Sequence, residues 1–257
     1  CPRRWFMTRR AGASSGSALR ASIGSLVHRI CAGNMDQWSL PEALAELEAA
    51  WPEIELSAEW QRSAELADAK AAVQRFDGWL QLRNRQLIGT EVRVDGTITV
   101  PSGTARVRGS IDRLERDAEG AYYVVDLKTG TSQSDEIKQS HRLQIGVYQA
   151  VVASGGVEAI GPASVSGAEL VHLRIGAGKG QANPKVDYQN GLVDVPWPDE
   201  AEAVDGCCNW IEASVDRALR IVRSGEYPAI ANRGCGHCPA RAGCPAPVSY
   251  THLRAHE

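Results

Sequence analysis

Two short stretches hold the residues of this chain best placed to do chemistry. They are Arg108-Gly-Ser-Ile-Asp112-Arg113 and Val124-Val-Asp126-Leu-Lys128-Thr-Gly130. Along a strand, residues two apart share a face, so Asp126 and Lys128 project together. Between the stretches lies Asp117-Ala-Glu-Gly120, a composition that predicts a turn. A hairpin folded there opposes positions whose numbers sum to roughly 237 or 238, which sets Asp112 beside Val125 or Asp126. Two carboxylates and an ammonium then converge on one point. Paired carboxylates repel, and a hard divalent cation relieves that repulsion. Oxygen ligands favour Mg²⁺ or Mn²⁺ over zinc. The lysine would then orient an attacking water or stabilise charge growing on a phosphate. The same short spacing also describes an ordinary cross-strand Asp/Lys pair.

Taken in order along the chain, further residues resolve that ambiguity. Asp112 with Asp126-x-Lys128 resembles the active-site signature of the PD-(D/E)xK nuclease superfamily. The surrounding words resemble its RecB-type branch, the nuclease domains of bacterial helicase–nucleases (the AddB and AdnB subunits) and the related CRISPR-associated exonucleases. Gly24-Ser-Leu-Val-His28 is similar to that family's G-x-x-x-H helix, whose histidine is a further metal ligand. Gln144-Ile-Gly-Val-Tyr148 is similar to its Q-x-x-x-Y helix, and that spacing puts both side chains on one helical face. Glu91 stands where the family has an acidic residue on the preceding strand, and is expected to support the ligands from behind.

The resemblance implies a restriction-endonuclease-like α/β fold, a mixed central sheet flanked by helices. It implies a metal-dependent DNA exonuclease acting on single strands or DNA ends in double-strand-break repair. His28, Asp112 and Asp126 would hold the metal, with Lys128, Gln144 and Tyr148 joining Asp112 and Asp126 in catalysis. A fused or associated helicase motor and a second helicase–nuclease subunit would be the partners, in the bacterial cytoplasm. Two alternatives are a stand-alone exonuclease of the CRISPR-adaptation type and a non-catalytic DNA-end-binding module.

The seven cysteines form a second constellation. Cys235-Gly-His-Cys238-Pro-Ala-Arg-Ala-Gly-Cys244 offers three thiols, one short of a four-thiolate site. Cys1, in Cys1-Pro-Arg-Arg-Trp-Phe6, is the candidate for the fourth. Spacing alone accepts either zinc or an iron–sulfur cluster. The resemblance points to a 4Fe–4S cluster on Cys1, Cys235, Cys238 and Cys244, because related nucleases carry one N-terminal and three C-terminal cysteines for that purpose. Such a clip would close a very long loop, where loop-closure entropy is greatest. Cys31, Cys207 and Cys208 fall outside the pattern and read as small buried hydrophobes.

With 28 Lys and Arg against 31 Asp and Glu, the net charge is −3. A broad basic face for gripping duplex DNA is therefore not expected, and DNA contact should be local. Arg3, Arg4, Arg9 and Arg10 form either a backbone contact or a solvated helix face. No apolar run approaches the roughly 18 residues that span a bilayer, which excludes a helical membrane protein. Gly176-Ala-Gly-Lys-Gly180 lacks the earlier glycine and following Ser or Thr of a phosphate loop, so it reads as a surface loop, without a motor function.

The elements that must position these residues follow from periodicity. The 257 residues, at about 150 per domain, suggest one large domain or one domain with appendages. Residues 1–85 read as mainly helical. Ser39-Leu-Pro-Glu42 has capping-box spacing, Ser57 starts a second helix, and Trp60, Ala64, Ala67, Ala71, Phe76 and Trp79 form its stripe. Residues 86–195 read as the α/β catalytic core. It comprises strands near Val92–Val100, Val107–Leu114 and Tyr122–Leu127, a helix from about Ser140 to Ala153, a strand at Ala168–Ile175 and a loop from Gly176 to Asn190. Residues 196–247 hold a helix over Pro198–Ser224 and the cysteine loop. The chain opens on Cys1, as a piece of a longer protein would, and Val248–Glu257 reads as a non-native tail.

Overall fold

The structure is a computed structural model that describes residues 1–11, 18–33, 38–54, 59–131, 135–178, 182–194, 197, 203–232, 235–236 and 238–246. It divides into two compact units, Leu19–Val215 and Cys1–Ala18 together with Asp216–Glu257.

The larger unit is built on a five-stranded sheet, ordered β1 (Gln86–Val100), β2 (Gly103–Arg116), β3 (Tyr122–Lys128), β4 (Val165–Gly176), β5 (Pro184–Asn190). β1 and β2 form a long antiparallel hairpin, and β3 pairs antiparallel to β2. Asp117 closes that second turn: its carboxylate accepts the Ala121 N–H at 2.8 Å. β3 and β4 run parallel, which requires a crossover. α5 (Asp135–Ala153) provides it and packs on β1, β3 and β4. α4 (Glu59–Leu80) packs against β4 and β5, with α3 (Leu40–Ala50) beside it, while α2 (Ala18–Ala32) adds to the same core. This is the mixed, helix-flanked α/β sheet that the sequence predicts.

Several local expectations are corrected. The buried face of α4 is Ala69, Ala72, Val73, Phe76 and Trp79; Ala64 and Ala67 are exposed. The core contact thus falls on the C-terminal half of the helix. Ser39 precedes α3 without a side-chain cap bond, because Pro41 removes one of the N–H groups that such a cap would meet. α5 begins at Asp135, earlier than expected. Pro184–Asn190, expected as loop, is an edge strand with little apolar alternation. α6 (Trp210–Ser224) starts later than Pro198. Asn209 caps it by accepting the Glu212 N–H at 3.0 Å, and Glu212 reaches back to the Cys208 N–H at 2.7 Å. Cys31 is buried as expected, but Cys207 is half-buried and Cys208 exposed. Ser57 and Val248–Glu257 lie outside the described residues. Among the described residues no helix is long and apolar enough to cross a membrane.

Beneath the sheet lies a buried ionic layer. Glu115 and Glu169 are fully buried; Arg113 and Arg85 pair with Glu115 at 2.6 and 3.2 Å, while Arg83 and the Trp79 indole N–H serve Glu169. Burial raises the Glu169 pKa, opposed by Arg83 and Arg85. Such carboxylates are tolerated in the interior only because their partners stay in place.

α5 seats on α6 through Gly146. A Cβ there would stand 2.2 Å from Ile211 Cδ1 and 2.7 Å from its Cγ1. Gly146→Ala should therefore destabilise the protein by about 1–3 kcal/mol, against the roughly 1 kcal/mol that alanine gains in a helix interior. Thermal unfolding checks this, and Ile211→Val in the same chain should recover part of the loss.

Candidate active site

The site forms where two strands part. The last backbone rung between β2 and β3 joins Arg113 and Val125. One step further, the Asp112 carboxylate accepts the Leu127 N–H at 2.6 Å, so a side chain continues the ladder that the backbone abandons. Asp112 is thereby fixed next to Asp126. Asp126 and Lys128 share a face of β3, as the period of two requires, and their charged ends lie 2.6 Å apart. Gln144, on α5, spans both. Its Nε2 donates to Asp126 Oδ1 at 3.0 Å, and its Oε1 accepts from Lys128 Nζ at 2.8 Å.

α2 delivers His28 from the other side. The helix approaches closely because a Cβ on Gly24 would meet Thr129 Oγ1 at 2.8 Å. The His28 Nδ1 lies 3.4 Å from Asp112 Oδ2. Glu91 lies between the β1–β2 pairs Thr90–Arg113 and Val92–Ile111, level with Asp112, and takes the left-handed backbone conformation, φ 46°, unique among the described non-glycine residues. Its carboxylate accepts from the Ser110 hydroxyl at 3.0 Å. Donor atoms of His28, Glu91 and Asp112 all lie within 4.8 Å of one another. The grouping departs from the expected set. Glu91 stands among the donor atoms, not behind them, while Asp126 is turned toward Lys128 and Gln144 in the same cavity. Tyr148 packs its ring against Gly109, and its hydroxyl is shared with Gln144 and the Ser110 backbone, so it braces α5 against the hairpin.

His28, Asp112, Asp126, Lys128 and Gln144 line a cavity of about 500 Å³. His141 and His172, which stand in no motif of the sequence, also line it. His141 is three residues before Gln144, hence on the same helical face, and that was the available signal. His172 stands opposite Lys128 on β4 and contacts Asp187 Oδ2 at 2.8 Å.

The electrostatics suit a cation. Burial lifts both Asp112 and Asp126 to about 6; the Leu127 N–H and then Lys128 oppose this at Asp112, and Lys128 opposes it at Asp126. Burial lowers the His28 pKa, against Asp126 and Glu91, leaving a neutral imidazole that can donate a lone pair at neutral pH. Two carboxylates and an imidazole form an oxygen-rich, hard donor set of the kind Mg²⁺ and Mn²⁺ accept.

The smaller unit contains the four cysteines of the second constellation. Its α1 (Pro2–Arg9) is tied to the C-terminal segment by Arg3, whose N–H donates to Pro228 O at 3.3 Å and whose Nη2 donates to Gly243 O at 3.2 Å. Phe6 stacks on Tyr227 with ring centroids 4.6 Å apart. Cys235, Cys238, Arg241 and Cys244 each donate an N–H to the carbonyl three residues earlier. The Asn232 N–H donates to Cys235 Sγ at 3.2 Å. Arg3 is thus a tether here, while Arg4, Arg9 and Arg10 are exposed.

The two carboxyls fix a pH dependence. With folded pKa values above the ordinary 3.8, they hold more protons in the folded chain than in the unfolded one between about pH 4 and 6. Without metal, stability should fall as pH rises through that window. A divalent cation needs both groups ionised, so stabilisation by Mn²⁺ should be near zero at pH 5 and reach several degrees of Tm at pH 7.5. Parallel melts with and without Mn²⁺ at the two pH values check it.

No curated protein matches the sequence. A solved structure titled "Crystal structure of SSO0001" is similar at a TM-score of 0.42 and 17% identity, over 88% of this chain and 97% of that one. Residues 1–245 match the family described as the PD-(D/E)XK nuclease superfamily, a span that takes in the carboxylate hairpin and the cysteine loop alike, and the chain belongs to that superfamily.

Proposed function

We propose that this chain is a deoxyribonuclease domain that hydrolyses phosphodiesters of single-stranded DNA with Mg²⁺ or Mn²⁺. The observation that carries the reading is the convergence of Asp112, Asp126, Lys128 and Gln144 on one cavity beside His28 and Glu91. Members of the superfamily are typically nucleases. His28, Glu91 and Asp112 would hold the cation, which would supply positive charge where phosphate charge grows and lower the pKa of a bound water. The chain's own residues do the rest. Lys128 is fixed by Asp126 and Gln144 before any substrate arrives, so its charge needs no reorganisation when negative charge develops at the phosphate. Gln144 bonds to both Asp126 and Lys128 and so holds the two paired side chains in one orientation. Asp126 completes the acidic wall against which a water is oriented.

The biological setting we infer is DNA-end processing by a bacterial helicase–nuclease, in the cytoplasm, with a helicase motor and a second subunit as partners. Its support is the ordered set of motifs from Gly24-x-x-x-His28 to Cys244. The cysteine loop is read as the seat of a 4Fe–4S cluster with Cys1. Its fit rests on three closely spaced thiols, an N–H aimed at the Cys235 sulfur, and the tether of α1 that brings the Cys1 end of the chain to the same unit. Backbone N–H donors to sulfur are how proteins tune such clusters.

Two measurements test these readings. Asp126→Ala and Lys128→Ala should each lower cleavage of single-stranded DNA at least about 100-fold while circular dichroism stays that of the parent; undiminished cleavage by either variant would rule out the assignment. Anaerobically purified protein should contain iron, and Cys238→Ala should lose it together with thermal stability; zinc without iron would replace the cluster by a zinc site.

A further inference from the structure

The metal-side face of the β1–β2 hairpin continues well past the carboxylates. Glu91 lies level with Asp112, and in register Arg93 opposes Ser110, Asp95 opposes Arg108, Thr97 opposes Arg106, and Thr99 opposes Thr104. Alternation places all of these on one face. The burial pattern agrees, since Val94, Ile98 and Val100 on the other face are buried while Arg93, Asp95, Thr97, Thr99, Thr104, Arg106 and Arg108 are exposed. Side-chain bonds knit the face together. Ser110 donates to Glu91, and Asp95 accepts from Arg106 at 2.7 Å through both oxygens and from Arg108 at 3.1 Å.

The charge of this face is opposite to that of the chain. Net charge overall is −3, yet beyond Glu91 and Asp112 the ladder holds three arginines against the single acid Asp95. Threonine and serine hydroxyls fill the remaining rungs, and these with arginine are the side chains that most often meet phosphate oxygens. The spacing fits too. Same-face neighbours on a strand stand about 6.8 Å apart, close to the separation of successive phosphates in an extended single strand. From Asp112 to Arg106 is about 20 Å, room for roughly three nucleotides.

We propose that Arg93, Arg106 and Arg108 form a track that binds the sugar–phosphate backbone of single-stranded DNA and leads it to the carboxylates of Glu91 and Asp112. The proposal rests on the nuclease reading for its choice of DNA. Asp95 pairs with Arg106 and Arg108 and takes up part of their charge, which weakens their hold on a phosphate.

The test uses the full chain in EDTA, which prevents cleavage, and a fluorescent 20-nucleotide oligo(dT) followed by anisotropy at several salt concentrations. The triple variant Arg93→Gln/Arg106→Gln/Arg108→Gln should bind at least ten-fold more weakly, and the slope of log K against log salt should fall by about 2, since each single-strand phosphate contact contributes about 0.7. Asp95→Asn, which removes the acid from an exposed face, should tighten binding several-fold, an outcome that misfolding cannot produce. Unchanged affinity and slope in both variants overturn the track, and a blunt duplex of equal length bound as tightly as the oligo(dT) overturns the single-strand assignment. Cleavage by the parent chain in Mn²⁺ separates the two readings. A parent that cleaves while both variants bind unchanged leaves the nuclease and removes the track. A parent that never cleaves, with binding lost in the triple variant, leaves the track and removes the nuclease.

Discussion

Where β2 leaves β3, the Leu127 N–H takes the Asp112 carboxylate in place of a backbone partner, and the rest of the site follows from that substitution. The bond holds one carboxylate at the mouth of a split in the sheet, next to a second, Asp126, whose position is dictated by the β3 pleat. Both are largely withdrawn from water, and burial raises both pKa values despite the N–H and the ammonium nearby. An arrangement this costly persists in a folded chain only if other groups stabilise it. Lys128 and Gln144 compensate Asp126. Asp112 has the Leu127 N–H and the more distant Lys128, and Glu91 adds a further carboxylate beside it and the neutral His28. His28, Glu91 and Asp112 together form a donor set that could hold a cation.

The framework bears the strain this creates. The left-handed backbone at Glu91 turns its carboxylate toward Asp112, a conformation that costs of order 1–3 kcal/mol for such a residue. The ionic layer of Glu115, Glu169 and their arginines lies under the same strands, joining the end of α4 and the start of β1 to β2 and β4. α5 is set by Gly146 against Ile211 and by Tyr148 against Gly109, so Gln144 reaches Asp126 and Lys128 without adjustment.

Much of this was legible from residue types and spacing. The Asp117–Gly120 turn predicted the β2–β3 hairpin, and the observed pairing of Arg113 with Val125 gives the sum of 238 that set Asp112 beside Asp126. The i, i+4 spacing placed Gln144 and Tyr148 on one face. Glu91 was harder to place, because its meeting with His28 and Asp112 depends on a strand register fixed by a hairpin of thirteen paired positions and on one positive φ, neither of which leaves a local mark. β5 carries little apolar alternation, because its buried positions are Pro184 and the polar Gln189 while Tyr188 is exposed. The start of α6 was misplaced because acidic residues before Asn209 mimic a first helical turn, while the true cap is the Asn209–Glu212 pair.

The proposed nuclease reading places a divalent cation among His28, Glu91 and Asp112. The most direct measurement is anomalous diffraction at the manganese edge from crystals grown with Mn²⁺ at neutral pH. The account predicts a strong anomalous peak within coordinating distance of a His28 ring nitrogen and of oxygens from both Glu91 and Asp112. No peak in the cavity, or a peak out of reach of these three residues, would contradict it.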